Sequence, residues 1–365
     1  MNCPEQPEPL ALPPQPGPPS ATAVDLPFIS VVIPVRNEGP FIARCLEQIL
    51  AQDYPRDHME IIVADGMSDD NTRAVLAEYR AKHPLIQVVD NPKRIVAPGL
   101  NIAIERARGE LIVRLDGHCE VATDFVSQAV RLMDEHPECW SGGGPIVHVG
   151  TNRVGEAVAV AMSHPLGVGL ATHRFANYEG YVEGAQFPTF RKWIFERIGN
   201  FDEQLVRTED DEFNYRITQA GGKIYISPRV RYVYYVRDRL GNLFRQYFQY
   251  SFWRIPVIRK HKKPTTLRQM VPPLFFLAMF VLLAVGAWLR QPLVALALPA
   301  IYLSALIAVG ASVVPRKGLA VGCLVPAALA TIHFAYALGI AYGLFALLFY
   351  PRAWDQSGSM SALSR

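Results

Sequence analysis

Three apolar stretches in the last quarter of the chain constrain its fold more than any other feature. Residues 271–289 and 291–314 carry no charged side chain, and residues 318–350 carry only the ionisable His333. A helix needs roughly 20 apolar residues to cross the hydrocarbon core of a bilayer, so each stretch qualifies as a span. Buried helices of a soluble protein are the alternative, and three consecutive uncharged runs of this length disfavour it. Three spans are expected, with two or four as variants. The last stretch is long enough to tilt, to kink near Pro326 or to be partly re-entrant.

Upstream of these stretches the chain is basic. From Arg229 to Arg268 stand eleven Lys or Arg residues against one acid, Asp238. Lys and Arg beside a span are retained on the cytoplasmic side. Arg254, Arg259, Lys260, Lys262, Lys263 and Arg268 therefore place the preceding domain in the cytoplasm. Arg316 and Lys317 fall on that side too, with Arg352 as a small exception. The run sets topology, lies against anionic headgroups at about 1 kcal/mol per charge, or does both. The expected location is the cell (inner) membrane, multi-pass, with the soluble domain cytoplasmic.

The formal net charge over 365 residues is only +3, which gives no ground for a nucleic-acid partner. Five cysteines, odd in number and scattered, show neither zinc spacing nor a disulfide framework. Eight prolines crowd the first twenty residues, which have too little to bury to offset their ordering entropy and no apolar signal-peptide core. The expected organisation is a disordered Pro-rich tail at 1–26 and a folded domain at 27–256. A basic juxtamembrane segment with about three spans follows at 257–350, then a polar tail at 351–365.

Within 27–256, short β-branched runs alternate with helical spacing. Strands are expected at 28–35, 60–64, 86–89 and 110–115, and helices at 41–50, 72–82 and 97–107. That alternation predicts an α/β fold with a doubly wound, mostly parallel sheet. Such sheets bind ligands outside the carboxyl ends of their strands, where Asn37, Glu38, Asp65, Asp116 and His118 fall. Neither a Gly-rich dinucleotide fingerprint nor a Walker-type loop is present. A nucleotide would then be held by carboxylates through a metal.

Asp116 and His118 stand two apart on extended chain, so their side chains point to one side. A carboxylate with an imidazole suits Mg²⁺ or Mn²⁺ shared with phosphate oxygens, the imidazole tilting the choice to Mn²⁺. A polar turn is the plainer explanation of that pair. Residues 208–212 (TEDDE) match a capping box through Thr208 and Asp211, predicting a helix to about Ala220. Acids in a first turn complement the helix dipole. Four in a row repel one another, however, which suggests that one serves as a general base.

Taken together, residues 30–38 (SVVIPVRNE), 65–72 (DGMSDDNT), 116–118 (DGH) and 208–210 (TED) resemble the family 2 glycosyltransferases. Residues 199–203 and 211–216 extend the likeness, which covers roughly 28–254. It implies a nucleotide-diphospho-sugar transferase (GT-A) fold. Within the family, the chain looks most similar to succinoglycan-type glucosyltransferases of exopolysaccharide assembly, which carry C-terminal membrane helices. The resemblance implies that Pro34, Asn37 and Glu38 line the nucleotide pocket, Asp65 contacts uridine and Asp116 binds the metal bridging the diphosphate. His118 stands where many members have a second Asp. Asp210 would be the general base, with Glu209 shaping the acceptor side.

Residues 249–253 (QYSFW) resemble the Gln-x-x-Arg-Trp motif of processive members, but Phe252 replaces its arginine. Gln249, Trp253 and Arg254 are carried as acceptor- or diphosphate-side candidates, with Arg254 a possible substitute. The departure argues for addition of one sugar. The implied activity is inverting transfer of a hexose, glucose by the subgroup's example, from a UDP-sugar to a lipid-linked or glycan acceptor. Other polysaccharide-assembly proteins are candidate partners. A polyprenyl-phosphate glycosyltransferase and a non-catalytic membrane-bound GT-A partner are the rival readings.

Overall fold

The computed structural model describes residues 26–350 apart from residue 265. The Pro-rich tail up to residue 25 and the polar tail at 351–365 lie outside them. In chain order the strands are β1 (Ile29–Val35), β2 (Met59–Asp65), β3 (Ile86–Asp90), β4 (Leu111–Arg114), β5 (Glu120–Val121) and β6 (Cys139–Gly144). They continue with β7 (Val147–Val149), β8 (Gly180–Val182), β9 (Gln186–Arg191), β10 (Lys223–Ile226) and β11 (Tyr232–Tyr235). The helices begin with α1 (Ile42–Leu50), α2 (Thr72–Lys82), α3 (Val96–Arg106), α4 (Phe125–Glu135), α5 (Arg153–Ser163) and α6 (Pro165–Val168). Next come α7 (Trp193–Ile198), α8 (Glu209–Gln219), α9 (Leu240–Phe252) and α10 (Arg254–His261). Last are α11 (Val271–Trp288), α12 (Pro292–Lys317) and α13 (Leu319–Phe349).

By its internal contacts the chain forms two compact units that interleave along the sequence. Among the described residues the first comprises 26–147, 176–201 and 216–234. The second comprises 148–175, 202–215 and 235–350.

The first unit is built on an eight-stranded sheet of order β3-β2-β1-β4-β9-β6-β10-β8. β3, β2, β1 and β4 are mutually parallel, β9 runs antiparallel to β4 and β6, β10 is parallel to β6, and β8 closes the edge antiparallel. The parallel half is the one the alternating pattern predicts, and the sheet as a whole is mixed. β1 and β2 are buried on both faces, which is why they read as unbroken apolar runs. Ile29, Val31, Ile33, Ile61, Val63 and Val113 join Leu46 and Ile49 of α1 and Phe125 of α4 in one core. β1 runs through Pro34 to Val35, so Pro34 is a strand residue paired with Ala64 and not part of the loop. Its missing N–H is tolerated because the ladder to β4 ends at Val32, one step earlier.

The second unit contains three helical segments long and apolar enough to cross a membrane, Leu267–Trp288, Pro292–Lys317 and Leu319–Phe349. They differ in environment. In the third, 44% of the most apolar window is buried by protein, against 11% in each of the others, so α13 is the hub of this unit. Small residues make that possible. A Cβ on Gly339 would lie 2.0 Å from Ser251 Oγ and 2.4 Å from the Phe248 carbonyl, and one on Gly343 would lie 2.6 Å from Ile255. α13 therefore sits directly on α9 and α10, as small-residue faces allow. His333, the ionisable residue of the third stretch, is hydrogen-bonded on both nitrogens, to Tyr302 Oη (2.9 Å) and the Leu166 carbonyl (2.7 Å).

This packing predicts that Gly339→Ala lowers the melting temperature of the detergent-solubilised protein, at a cost of about 1–3 kcal/mol for an overpacked contact. Gly241→Ala on α9, whose added methyl meets nothing within 4 Å, is expected to leave it unchanged or slightly higher.

Candidate active site

The sheet brings three loops to its carboxyl edge, after β1, β2 and β4. The first two are joined by side chains that satisfy backbone amides. Three consecutive N–H groups of the first loop are accepted by the second: Asn37 N by Ser68 Oγ (2.9 Å), Glu38 N by Thr72 Oγ1 (2.8 Å) and Gly39 N by Asp70 Oδ2 (3.0 Å). Asn37 Oδ1 returns the contact by accepting from Asp69 N (3.0 Å). Ser68 is double-ended, since its hydroxyl also donates to Asp65 Oδ1 at 2.5 Å. Asn37 and Met67 hold left-handed backbone, with φ of 56° and 55°. Non-glycine residues seldom adopt that conformation, and it concentrates at functional sites.

Asp65 is almost wholly buried at the end of β2. Its carboxylate also accepts from Ser68 N (3.2 Å) and pairs with Arg73 at 3.1 Å, and Arg73 reaches on to Asp90 at 2.8 Å. The thiols of Cys45 and Cys119 lie 3.5 Å apart beneath this surface, and all four described cysteines are free.

The third loop carries Asp116 and His118. Gly117 between them has no room for a side chain, because a Cβ would stand 2.7 Å from Val35 Cγ1 and 3.1 Å from Glu38 Cγ. That close approach sets His118 Nδ1 3.0 Å from Glu38 Oε1. The hydrogen bond that its ring N–H donates to Glu38, against the opposing effect of burial, raises the His118 pKa to about 9. His118 thus stands beside Asp116 with Glu38 as its hydrogen-bond partner. Asp116 keeps 28% of its side chain exposed and has Arg114 at 3.7 Å. Among the described residues no three His, Cys, Asp or Glu side chains converge as a metal site. One presented carboxylate fits a cation that takes most of its oxygens from phosphate, as Mg²⁺ does, and does not fit an all-protein cage.

In the second unit, α8 begins at Glu209, which is buried, with Asp210 half-buried beside it. The expected capping box does not form. Thr208 holds a φ of 63°, and its hydroxyl faces the carbonyls of Arg207 (2.5 Å) and Trp253 (3.3 Å), so it acts as a donor and not as a cap. Asp210 Oδ1 instead accepts the Asp211 N–H at 2.8 Å. Arg254 donates to Asp211 Oδ2 at 2.7 Å. Burial opposes the Arg254 charge, but Asp211, the Tyr336 phenol and Asp210 outweigh it and raise its pKa above that of an ordinary arginine. Trp253 and Arg254 thus belong to the same cluster as Asp210. Gln249 lies one turn earlier on α9, buried.

The sequence profile of the family described as Glycosyl transferase family 2 matches residues 30–167. The succinoglycan biosynthesis protein ExoA of Rhizobium meliloti (strain 1021) is 31% identical over 270 residues, which are 71% of this chain and 79% of that one. The chain belongs to glycosyl transferase family 2. A second relative of this transferase is the dolichyl N-acetyl-alpha-D-glucosaminyl phosphate 3-beta-D-2,3-diacetamido-2,3-dideoxy-beta-D-glucuronosyltransferase of Methanococcus voltae. It is 31% identical over 243 residues, 64% of this chain and 74% of the relative. The fold is shared with the mannosyltransferase PcManGT of Pyrobaculum calidifontis, solved with GDP-Man and Mn²⁺, at a TM-score of 0.55 and 23% identity over 87% of each chain. The matched region spans all three loops of the transferase's sheet edge and stops short of Asp210.

Sequence reasoning named Asn37, Glu38, Asp65, Asp116 and His118, and the fold gathers all five in the first unit. It assigned no role to Ser68, Asp70, Thr72 or Arg73, which hold Asp65 and the loop of Asn37 and Glu38. Short Ser, Thr and Asp residues after a strand are the signal that identifies such a loop.

Two outcomes test this geometry. Burial pushes the Asp70 carboxyl up, but hydrogen bonds from the Thr72 hydroxyl and N–H and the Gly39 N–H prevail, and its pKa lies below 3.8. A depressed carboxyl contributes its stability above the unfolded value and loses it as pH falls through the folded one. Asp70→Asn is therefore expected to lower the melting temperature at pH 7, by an amount that shrinks as the pH falls toward 3. For His118 the sign is opposite. Its contribution is full below about pH 6.5 and is lost as pH rises through about 9. Carbon-13 NMR of the metal-free protein should show the imidazole titrating near 9, moving toward 6.5 in Glu38→Gln.

Proposed function

We propose that this transferase moves a hexose, glucose by the example of its subgroup, from a UDP-sugar to a lipid-linked saccharide, with inversion at the anomeric carbon. The product is a step in assembly of an exopolysaccharide or envelope glycan, where other assembly proteins are its partners. The loops after β1 and β2 hold the nucleotide: Asn37 and Glu38 line its pocket and Asp65 contacts the base. Asp116 would hold Mn²⁺ or Mg²⁺, and that cation would supply charge neutralisation for the leaving diphosphate. Asp210 takes the proton of the acceptor hydroxyl as that oxygen attacks the face opposite the phosphate. Glu209, buried beside it, shapes the acceptor side.

The observation that carries this reading is the gathering of Asn37, Glu38, Asp65 and Asp116 on one carboxyl edge of a parallel sheet. Two relatives support the substrates, one named for succinoglycan biosynthesis and one for transfer to a dolichyl-phosphate-linked sugar. The neighbour bound to GDP-Man and Mn²⁺ supports the cation. Three helices long and apolar enough to cross a membrane, with the basic run before α11, support a multi-pass protein whose catalytic domain lies on the cytoplasmic side, with the sugar nucleotide.

The test is turnover by the purified protein, offered a panel of UDP- and GDP-sugars with Mn²⁺ or Mg²⁺ and a membrane lipid extract as acceptor. One donor is expected to be consumed in a metal-dependent way. Asp116→Ala and Asp210→Asn are each expected to reduce transfer at least 100-fold. A transferase that turns over no donor, or an Asp210→Asn variant that transfers at the wild-type rate, contradicts the assignment.

A further inference from the structure

The acids that open α8 are divided by the helix itself. At about 100° per residue, Asp210 and Glu212 point roughly 200° apart, so they stand on opposite sides of the helix. Glu212 is fully buried, where a carboxylate is strongly unfavourable unless it is paired and hydrogen-bonded. Two side chains meet it. Lys260 Nζ donates to Glu212 Oε1 at 2.8 Å, and His261 Nε2 lies 3.0 Å from the same oxygen. Lys260 also donates to Asp202 Oδ2 at 2.6 Å. Burial opposes the Lys260 charge, but Asp202 and Glu212 outweigh it and raise its pKa. Tyr215, one turn beyond Glu212, sets its ring edge-on to His261 at 4.7 Å.

Lys260 and His261 both come from the last turn of α10. The first residue of that helix, Arg254, donates to Asp211 Oδ2 at 2.7 Å. α10 thus holds α8 at two carboxylates about 100° apart around its axis. One ion pair lets a helix roll about the contact, whereas two on different faces fix its rotation. The rotation of α8 sets the direction of Asp210, whose own bond to the Asp211 N–H lies within the same helix. The basic run before the first candidate span therefore has a task besides topology, since Arg254 and Lys260 are committed to the acids of α8.

We propose that Glu212, gripped by Lys260 and His261, is a positioning residue that fixes the rotation of α8 and so aims the Asp210 carboxylate at the acceptor hydroxyl. This role rests on the reading of Asp210 as the general base. Glu212 acts through Asp210 and holds no substrate itself. Misplacing a reacting group by about 1 Å can cost on the order of 100-fold in rate. Loss of the grip therefore falls on the chemical step and leaves donor binding as it was.

The experiment measures kcat and KM for transfer by the full chain in nanodiscs, and its affinity for UDP with Mn²⁺. The donor is the one that the UDP- and GDP-sugar panel selects, and the acceptor is membrane lipid extract. Glu212→Gln keeps the shape and removes the charge. It is expected to lower kcat at least tenfold, while KM for the donor and affinity for UDP move less than twofold. Lys260→Met should lower kcat about tenfold, and Lys260→Arg should retain at least half of it. A merely structural cluster would not depend on Asp210, so the double variant is the deciding arm. On top of Asp210→Asn, Glu212→Gln should lower kcat less than twofold further. If a melting curve shows that Glu212→Gln does not fold, the Lys260 variants decide, alone and on top of Asp210→Asn. Wild-type kcat in folded Glu212→Gln overturns the role and leaves the base in place. So does an equal loss in Lys260→Met and Lys260→Arg, or a loss that persists in full on top of Asp210→Asn. Wild-type kcat in Asp210→Asn, or no turnover by the wild type, refutes the reading of the base and the role of Glu212 with it.

Discussion

The carboxyl edge of the parallel strands depends on one set of hydrogen bonds, those by which the loop after β2 accepts three successive amides of the loop after β1. Loop amides without partners must be solvated or satisfied, and short polar side chains satisfy them at fixed geometry. Here Ser68, Thr72 and Asp70 do so, and Asn37 closes the contact from the other side. The chain after β1 is thereby held in a conformation it would not choose, with Asn37 at positive φ. Asp65 is drawn into the same network through Ser68. Four hydrogen bonds thus tie the two loops to each other.

Glycines at close approaches extend that order outward. Gly117 lets the Asp116 loop press against Val35 and Glu38, which puts His118 in contact with Glu38 and leaves Asp116 presented. In the second unit Gly339 and Gly343 let α13 lie directly on α9 and α10, the segment that carries Trp253 and Arg254. A candidate membrane span is thus built into the same unit as Asp210 and is not a separate anchor.

Much of the fold was legible because burial on both faces writes itself into the sequence. β1 and β2 are unbroken β-branched runs, and α2 and the four parallel strands lie where spacing puts them, within a residue or two. The antiparallel half was not legible. β6 is Cys-Trp-Ser-Gly-Gly-Gly, with small residues where a strand signal needs bulk, and β9 has a proline within it. Thr208 fits the capping-box pattern, but its hydroxyl goes to the Arg207 and Trp253 carbonyls, a partner 45 residues away that no local pattern contains. His118 shows the same limit. Spacing placed it beside Asp116, while its charge state comes from Glu38, 80 residues earlier. The interleaving of the two units is likewise a tertiary fact, which no local pattern in residues 148–175 or 202–215 records.

The most direct measurement of the central claim is hydrogen–deuterium exchange across residues 36–39 and 65–72, with and without a UDP-sugar and Mn²⁺. If these loops are one nucleotide-holding element, both segments gain protection together on adding the nucleotide, and Ser68→Ala abolishes the gain in both. Protection confined to one segment, or unchanged exchange in both while the nucleotide is bound, would contradict the account.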